Sequence, residues 1–171
     1  CLKHKKKLSN IDTIIFVTQT PRYLLPSCSC ILQDKLKLKK KIYTLDLNMG
    51  CSGYIYGLSV ADSIIKSGIG NNILLVCADT YSKYIDDKNT NRYIFSDSAS
   101  ATLIKKCDKK KIYDFSFFTD GSKHQSIIIK KIDEIEKFSM IGSDVFAFTL
   151  EQDPLKINKY LKKYKKKLSF Y

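Results

Sequence analysis

One short segment holds residues whose types and spacing could do covalent chemistry: Asn48-Met49-Gly50-Cys51-Ser52-Gly53. A thiol is a nucleophile only as its thiolate, and few surroundings favour that form. The positive end of a helix is one of them, because unsatisfied N–H groups and the helix dipole both favour negative charge there. The same N–H groups can stabilise an oxyanion developing on a substrate. Gly50 and Gly53 flank the thiol, and glycine permits a sharp turn and a close approach of substrate to the backbone. The chemistry on offer is nucleophilic attack by a cysteine. On pattern alone two readings stand, a nucleophile at the start of a helix or a small buried apolar residue.

Elements on both sides must position that thiol. Ile42–Leu47 is an apolar run that predicts a buried strand. After Gly53, Tyr54, Ile55, Leu58, Ala61, Ile64 and Ile65 recur at three and four residues, which predicts a helix ended by Gly68 and Gly70. Thr13–Gln19 and Asn72–Ala78 predict two further buried strands. Pro21 and Pro26 bracket a loop, and Ser27–Leu36 has helical spacing. Alternating buried strands and crossover helices predict an α/β fold with a parallel-type sheet covered on both faces. Asp79–Arg92 reads as a polar loop. Tyr93–Phe95 and Ala99–Lys105 read as strand pieces around Ser96-Asp97-Ser98. Lys111–Thr119 and Ser126–Lys131 read as a hairpin joined through Asp120-Gly121-Ser122. Residues 132–142 read as a linker, and Ser143 to about Lys166 as a helix interrupted near Pro154.

Composition bounds the function. The chain has 171 residues, 44% hydrophobic and 27% charged, which is ordinary for a globular protein and excludes wholesale disorder. No apolar run approaches the roughly 18 residues of a membrane span. The net charge of +13 would suggest a nucleic-acid partner, but it comes from 28 Lys and only two Arg, Arg22 and Arg92. Phosphate and base-edge recognition favours Arg, whose planar fork matches oxygens in pairs. The lysines sit in runs at Lys5–Lys7, Lys39–Lys41, Lys109–Lys111 and Lys165–Lys167, a profile of solvated surface, so no nucleic-acid partner is expected. The basic start, Cys1–Ser9, is followed only by the short apolar run Ile14–Val17, too short for a signal-peptide core. The six cysteines are therefore expected as reduced thiols in a cytoplasm. Cys28 and Cys30 are two apart, not a zinc spacing, and neither histidine, His4 or His124, lies near them, so no metal is expected. Both histidines read as surface residues.

The runs TQTPRYLLPSCSCILQDKL, TLDLNMGCSGYIYGLSVADSIIKSG, NNILLVCADTYSKYI and RYIFSDSASATLI together resemble β-ketoacyl-acyl-carrier-protein synthase III, an initiating condensing enzyme with a thiolase-like fold. The similarity extends from about Ile11 to Leu161. It implies a thiolase-like layered α/β fold, with residues 1–131 as an N-terminal half lacking its first elements. Residues 132–171 are then a linker and the first, truncated helix of a second half. It places the family nucleophile on Cys51. That cysteine would take an acyl group from acyl-coenzyme A, a substrate rather than a cofactor, and no other cofactor is implied. The thioester would then meet a carbanion from malonyl-acyl-carrier protein. The carrier protein and a second copy of the chain are the implied partners. Leu25 falls where the family caps the partner's acyl pocket, as a wider pocket or as plain interface packing. Arg92 is either a ligand-binding arginine or a solvent-facing one; the position where many members carry the arginine is Asn89.

The family's glycine-rich FGDG segment falls on Phe95-Ser96-Asp97-Ser98, and each Ser would cost stability if the backbone needed positive φ there. The His and Asn that support decarboxylation in the family have no counterpart in this chain. The alternatives are therefore an inactive remnant or dimerising half-domain, and another thiolase-fold enzyme such as a hydroxymethylglutaryl-coenzyme A synthase.

Overall fold

The computed structural model describes residues 8–107, 114–132 and 134–164. Cys1, His4 and the lysine runs Lys5–Lys7, Lys109–Lys111 and Lys165–Lys167 lie outside the described residues. The fold is mixed α/β. It divides into two compact units, Cys1–Tyr81 with Ser96–Asp114, and Ser82–Phe95 with Phe115–Tyr171.

The first unit is a four-stranded sheet with a helix against each face. Strands β1 (Thr13–Val17), β2 (Tyr43–Leu47), β3 (Asn72–Asp79) and β4 (Ser98–Lys105) lie in the order β2-β1-β3-β4. β1 runs parallel to both neighbours, with Ile15 opposite Leu45 and Leu75. Strand residues alternate between faces, and the core divides accordingly. Ile15, Val17, Ile73 and Leu75 pack with Ala61 and Ile64 of helix α2 (Gly53–Lys66). Ile14, Leu74 and Val76 pack on the other face with Ile11 and Leu38, against Leu32 of helix α1 (Cys28–Lys35) and Leu36.

The sheet is not all-parallel as the sequence suggested, because β4 pairs antiparallel with β3 across its whole length. A parallel return needs a crossover, usually helical, and no α-helix intervenes between β3 and β4 in the chain. Tyr93–Phe95 is not a strand either. A 3₁₀ turn, Thr90–Tyr93, occupies that stretch, capped by the Asn89 side chain, which accepts from the Asn91 N–H.

Helix α2 ends as its glycine predicted. Gly68 has φ of 76°, its N–H donates to the Ile65 carbonyl, and the Ile69 N–H donates to the Ile64 carbonyl. This is the Schellman arrangement, which closes a helix with a left-handed residue. At its other end α2 comes very near the sheet. A Cβ on Gly53 would overlap Val17, and one on Gly57 would overlap the Leu75 side chain. Both glycines and Ala61 are buried and recur every four residues, so the smallest side chains line the contact.

The second unit corrects the hairpin. Strand β5 (Ile127–Ile132) pairs with β6 (Ile135–Met140), in the stretch read as a linker, and not with Lys111–Thr119. Of that expected partner, residues 111–113 lie outside the described residues, and 114–119 form no strand. The short turn between Ile132 and Ile135 passes through Glu134 at φ of 62°. It brings two locally adjacent strands together, which closes a much shorter loop than the expected pairing. Phe138 is the buried centre of this unit, with Phe95 edge-on at 4.8 Å between ring centroids. Its N–H donates to the Tyr84 carbonyl at 2.9 Å. Helix α3 (Gly142–Lys163) runs through Pro154 without the expected interruption. Pro154 is exposed, where water can take the hydrogen bond that its missing N–H forfeits.

The contact between α2 and the sheet yields a stability prediction. Gly57→Leu forces a large side chain into Leu75 and is expected to cost roughly 1–3 kcal/mol or more by overpacking. A urea unfolding curve with a lowered midpoint and an unchanged slope checks this; an unchanged midpoint would mean that the helix can move away freely.

Candidate active site

Parallel strands end on one edge of a sheet, and the loops that follow them meet there. β1, β2 and β3 end at Val17, Leu47 and Asp79, and Cys51 follows β2 by four residues. The chain turns tightly between Leu47 and α2. The Met49 N–H donates to the Leu47 carbonyl at 3.1 Å, and the Gly53 N–H to the Gly50 carbonyl at 2.7 Å. Cys51 sits at the tip of this turn with an exposed side chain, not in the core. Ser52 is the N-cap of α2 but makes no side-chain cap bond, and the helix has no acidic residue in its first turn. The Gly53 N–H is engaged by the turn itself and is no free donor toward the thiol.

Asp79 ties the ends of β1 and β3 together. Its Oδ1 accepts from the Gln19 N–H at 2.8 Å, the Thr20 N–H at 3.1 Å, the Thr18 hydroxyl at 3.1 Å and the Thr20 hydroxyl at 2.9 Å. The Thr20 hydroxyl accepts in turn from the Thr80 N–H at 2.7 Å. Tyr81 donates its hydroxyl to the Gln19 Oε1 at 3.1 Å. Burial, then the charges of Asp79 and Cys51, pushes the Tyr81 phenol up to about 12. None of these groups stood out in the sequence, because each acts on residues about 60 positions away.

A second thiol also escaped the sequence reading. Cys30, in the first turn of α1, is exposed. Its sulfur accepts from the Ser27 hydroxyl at 3.0 Å and lies 3.4 Å from the Thr44 hydroxyl. These hydroxyls lower the Cys30 thiol below its usual range, against weaker opposition from burial and Asp46. Cys77 on β3 is the opposite case, since burial and then Asp79 raise it.

The other sequence-selected residues are scattered. Leu25 lies in the loop before α1, 86% exposed beside Leu24 at 95%, with a cis bond to Pro26. Arg92 belongs to the second unit, where its Nη1 donates to the Asp87 carboxylate at 2.7 Å and the Asp87 carbonyl at 3.1 Å. Asn89 caps its turn and donates to the Phe138 carbonyl at 3.2 Å. His124, also in that unit, is exposed, with Nδ1 3.3 Å from the Gly121 carbonyl. Ser96 and Ser98 are not at positive φ, so the cost expected of them does not arise. Among the described residues no group of three His, Cys, Asp or Glu could hold a metal ion, and no helix is long and apolar enough to cross a membrane.

A family profile described as 3-oxoacyl-[acyl-carrier-protein (ACP)] synthase III matches residues 45–121, the stretch that contains Cys51. A Campylobacter jejuni relative is 38% identical over 168 residues, 85% of this chain and 47% of its own length. The β-ketoacyl-[acyl-carrier-protein] synthase III of Fusobacterium nucleatum is 36% identical over 176 residues, 94% of this chain and 53% of its own. Among solved structures, the synthase III of Aquifex aeolicus is 31% identical with a TM-score of 0.73 over 83% of this chain and 46% of its own. The Pseudomonas aeruginosa synthase III shares the fold, with a TM-score of 0.85 at 24% identity over 96% of this chain and 53% of its own. The chain spans about half the length of the curated relatives it matches.

Two measurements check the electrostatics of these groups. Iodoacetamide at neutral pH is expected to label Cys30 about tenfold faster than Cys77, and equal rates would contradict the two environments. The near-ultraviolet difference titration of wild type against Tyr81→Phe is expected to show a tyrosinate that forms only near pH 12. A difference signal at pH 10 would mean that the phenol is open to water.

Proposed function

Because the chain is a relative of the 3-oxoacyl-[acyl-carrier-protein] synthase III proteins over about half of their length, we propose that it is an acyltransferase acting through Cys51. The observation that carries the reading is the exposed Cys51 thiol on a tight turn leading into the N-terminus of α2. The substrate is an acyl-coenzyme A thioester. The Cys51 thiolate attacks its carbonyl carbon, a new carbon–sulfur bond forms, and the bond to the coenzyme A sulfur breaks. Coenzyme A leaves as a thiolate and takes a proton from solvent. The acyl-cysteine then meets malonyl-acyl-carrier protein. Loss of carbon dioxide leaves an electron pair on the malonyl carbon, which forms the new carbon–carbon bond and releases Cys51 as thiolate. The product is a 3-oxoacyl carrier thioester, the opening step of fatty-acid or related lipid synthesis.

The two half-reactions ask for different groups. Acyl transfer calls on Cys51, and the open end of α2 favours the negative charge that gathers on the carbonyl oxygen. Decarboxylation calls on the His and Asn that the resemblance implies, and these have no counterpart in the chain. Leu24 and Leu25, almost wholly exposed, support a loop that meets a second copy of the chain. Arg92 holds Asp87 through Nη1 and, in this reading, offers further guanidinium donors to coenzyme A phosphates. The +13 charge favours encounter with both acidic partners, coenzyme A and the carrier protein. In this reading α3 opens the second half of the fold.

Mass spectrometry after incubation with acetyl-coenzyme A tests the first step. The expected result is one acetyl adduct on Cys51, absent from Cys51→Ala. No adduct, or adducts spread over Cys30 and the other thiols, would overturn the assignment.

A further inference from the structure

Gln19 and Tyr81 have no part in the chemistry written above, yet they converge on the turn that carries it. Gln19 follows β1 by two residues, Tyr81 follows β3 by two, and Gly50 follows β2 by three. The strand order β2-β1-β3 puts Gln19 in the middle of these three ends. Its N–H is fixed on Asp79 at 2.8 Å. Its side-chain carbonyl accepts from the Tyr81 hydroxyl at 3.1 Å. The same carbonyl oxygen occupies the space where a Cβ on Gly50 would stand, with the amide carbon at 3.2 Å from that point. The Gln19 amide is thus clamped between a phenol and the backbone of the residue next to Cys51.

We propose that Gln19 and Tyr81 are positioning residues for Cys51: the Tyr81 hydroxyl fixes the Gln19 amide, and the amide fixes the Gly50 side of the thiol-bearing turn. The inference rests on the reading of Cys51 as the nucleophile. Two features support it. The Met49–Leu47 and Gly53–Gly50 hydrogen bonds tie the turn to itself, and the Gln19 amide meets it from the end of a neighbouring strand. Tyr81, a phenol that stays protonated throughout the neutral range, remains the donor to Gln19.

The test uses the full chain and iodoacetamide, with the labelling of Cys30 as internal reference, since the bonds of Cys30 involve neither residue. Gln19→Met removes the acceptor and Tyr81→Phe removes the donor, and each nearly keeps the volume, so a role in packing alone would leave the Cys51 to Cys30 ratio unchanged. The expected result is a drop in that ratio of about fivefold in either variant and no further drop in the double variant, because both delete one bond. An unchanged ratio in both single variants, or losses that multiply in the double variant, would overturn the proposal. If one variant fails to melt cooperatively, the other tests the same bond. The readout is thiol reactivity, so it stands apart from the reaction. A missing acetyl adduct on wild-type Cys51 would sink the acyltransferase reading, while an unchanged ratio would sink only the brace.

Discussion

No side chain fits between α2 and the central strands at Gly53 and Gly57, and the rest of the site depends on that close approach. A helix held at ordinary distance could slide or tilt on its apolar face. One whose backbone rests on Val17 and Leu75 has little freedom, because interiors resist even small changes of volume. The first of the two glycines is the first residue of the helix. Its contact therefore fixes the helix N-terminus in space, and with it the turn from Gly50 to Ser52. That contact sets the helix end, and the Gln19 amide against Gly50 meets the same turn from the end of β1.

The polar half of the same design is carried by aspartates. Asp79 gathers four donors from the end of β1. Asp12, at the opposite end of that strand, accepts from the Asn71 and Asn72 N–H groups. Asp46 reaches from β2 to the Cys28 and Ser29 N–H groups, at 2.6 and 2.8 Å. In the second unit Asp144 accepts from the buried Ser126 hydroxyl at 2.7 Å. Hydrogen bonds to charged acceptors are the stronger kind, and they satisfy N–H groups that strand and helix ends leave open. These four aspartates are drawn inward to the backbone, whereas Lys39–Lys41 are exposed together with carboxylates such as Asp34, Asp87 and Glu151. The charged residues thus divide into aspartates that tie chain ends together and a solvated surface of both signs.

This division also explains how much could be read from the sequence. β1, β3 and α2 follow from local pattern, since buried parallel strands are apolar runs and the helix is strongly periodic; β2 is a strand as expected but not a buried one, because it forms the sheet edge and none of its residues is buried. Gly68 marked the end of α2 because only a residue at ease with positive φ closes a helix that way. Cys51 was visible from its place between a strand and a helix. The direction of β4 was not, because its pairing with β3 is a matter of chain path and not of composition. β6 was missed because Glu136 and Lys137 break its apolar character, though Ile135, Phe138 and Met140 are present. Cys30, Gln19 and Tyr81 were out of reach for a related reason. Gln19 and Tyr81 meet across about 60 residues, which spacing along the chain does not carry, and Cys30 is set first by Ser27, three residues before it, and then by Thr44, 14 residues on.

The two exposed cysteines at helix starts then separate on physical grounds. Both Cys30 and Cys51 sit where a dipole could favour negative charge. At α1 that favour is already taken, because the Asp46 carboxylate occupies the Cys28 and Ser29 N–H groups. Its charge opposes a thiolate at Cys30, and only the Ser27 and Thr44 hydroxyls outweigh it. A second anion arriving there, whether a thioester oxygen gathering charge or a phosphate of its carrier, meets a helix end already neutralised. At α2 no acidic residue lies in the first turn and no side chain caps the end. The Gly53, Ile55 and Tyr56 N–H groups there are engaged by backbone carbonyls, so it is the dipole of the longer helix, with no carboxylate on it, that distinguishes this end from that of α1. In the acyltransferase reading we propose, the substrate's developing charge falls at this end and not at α1.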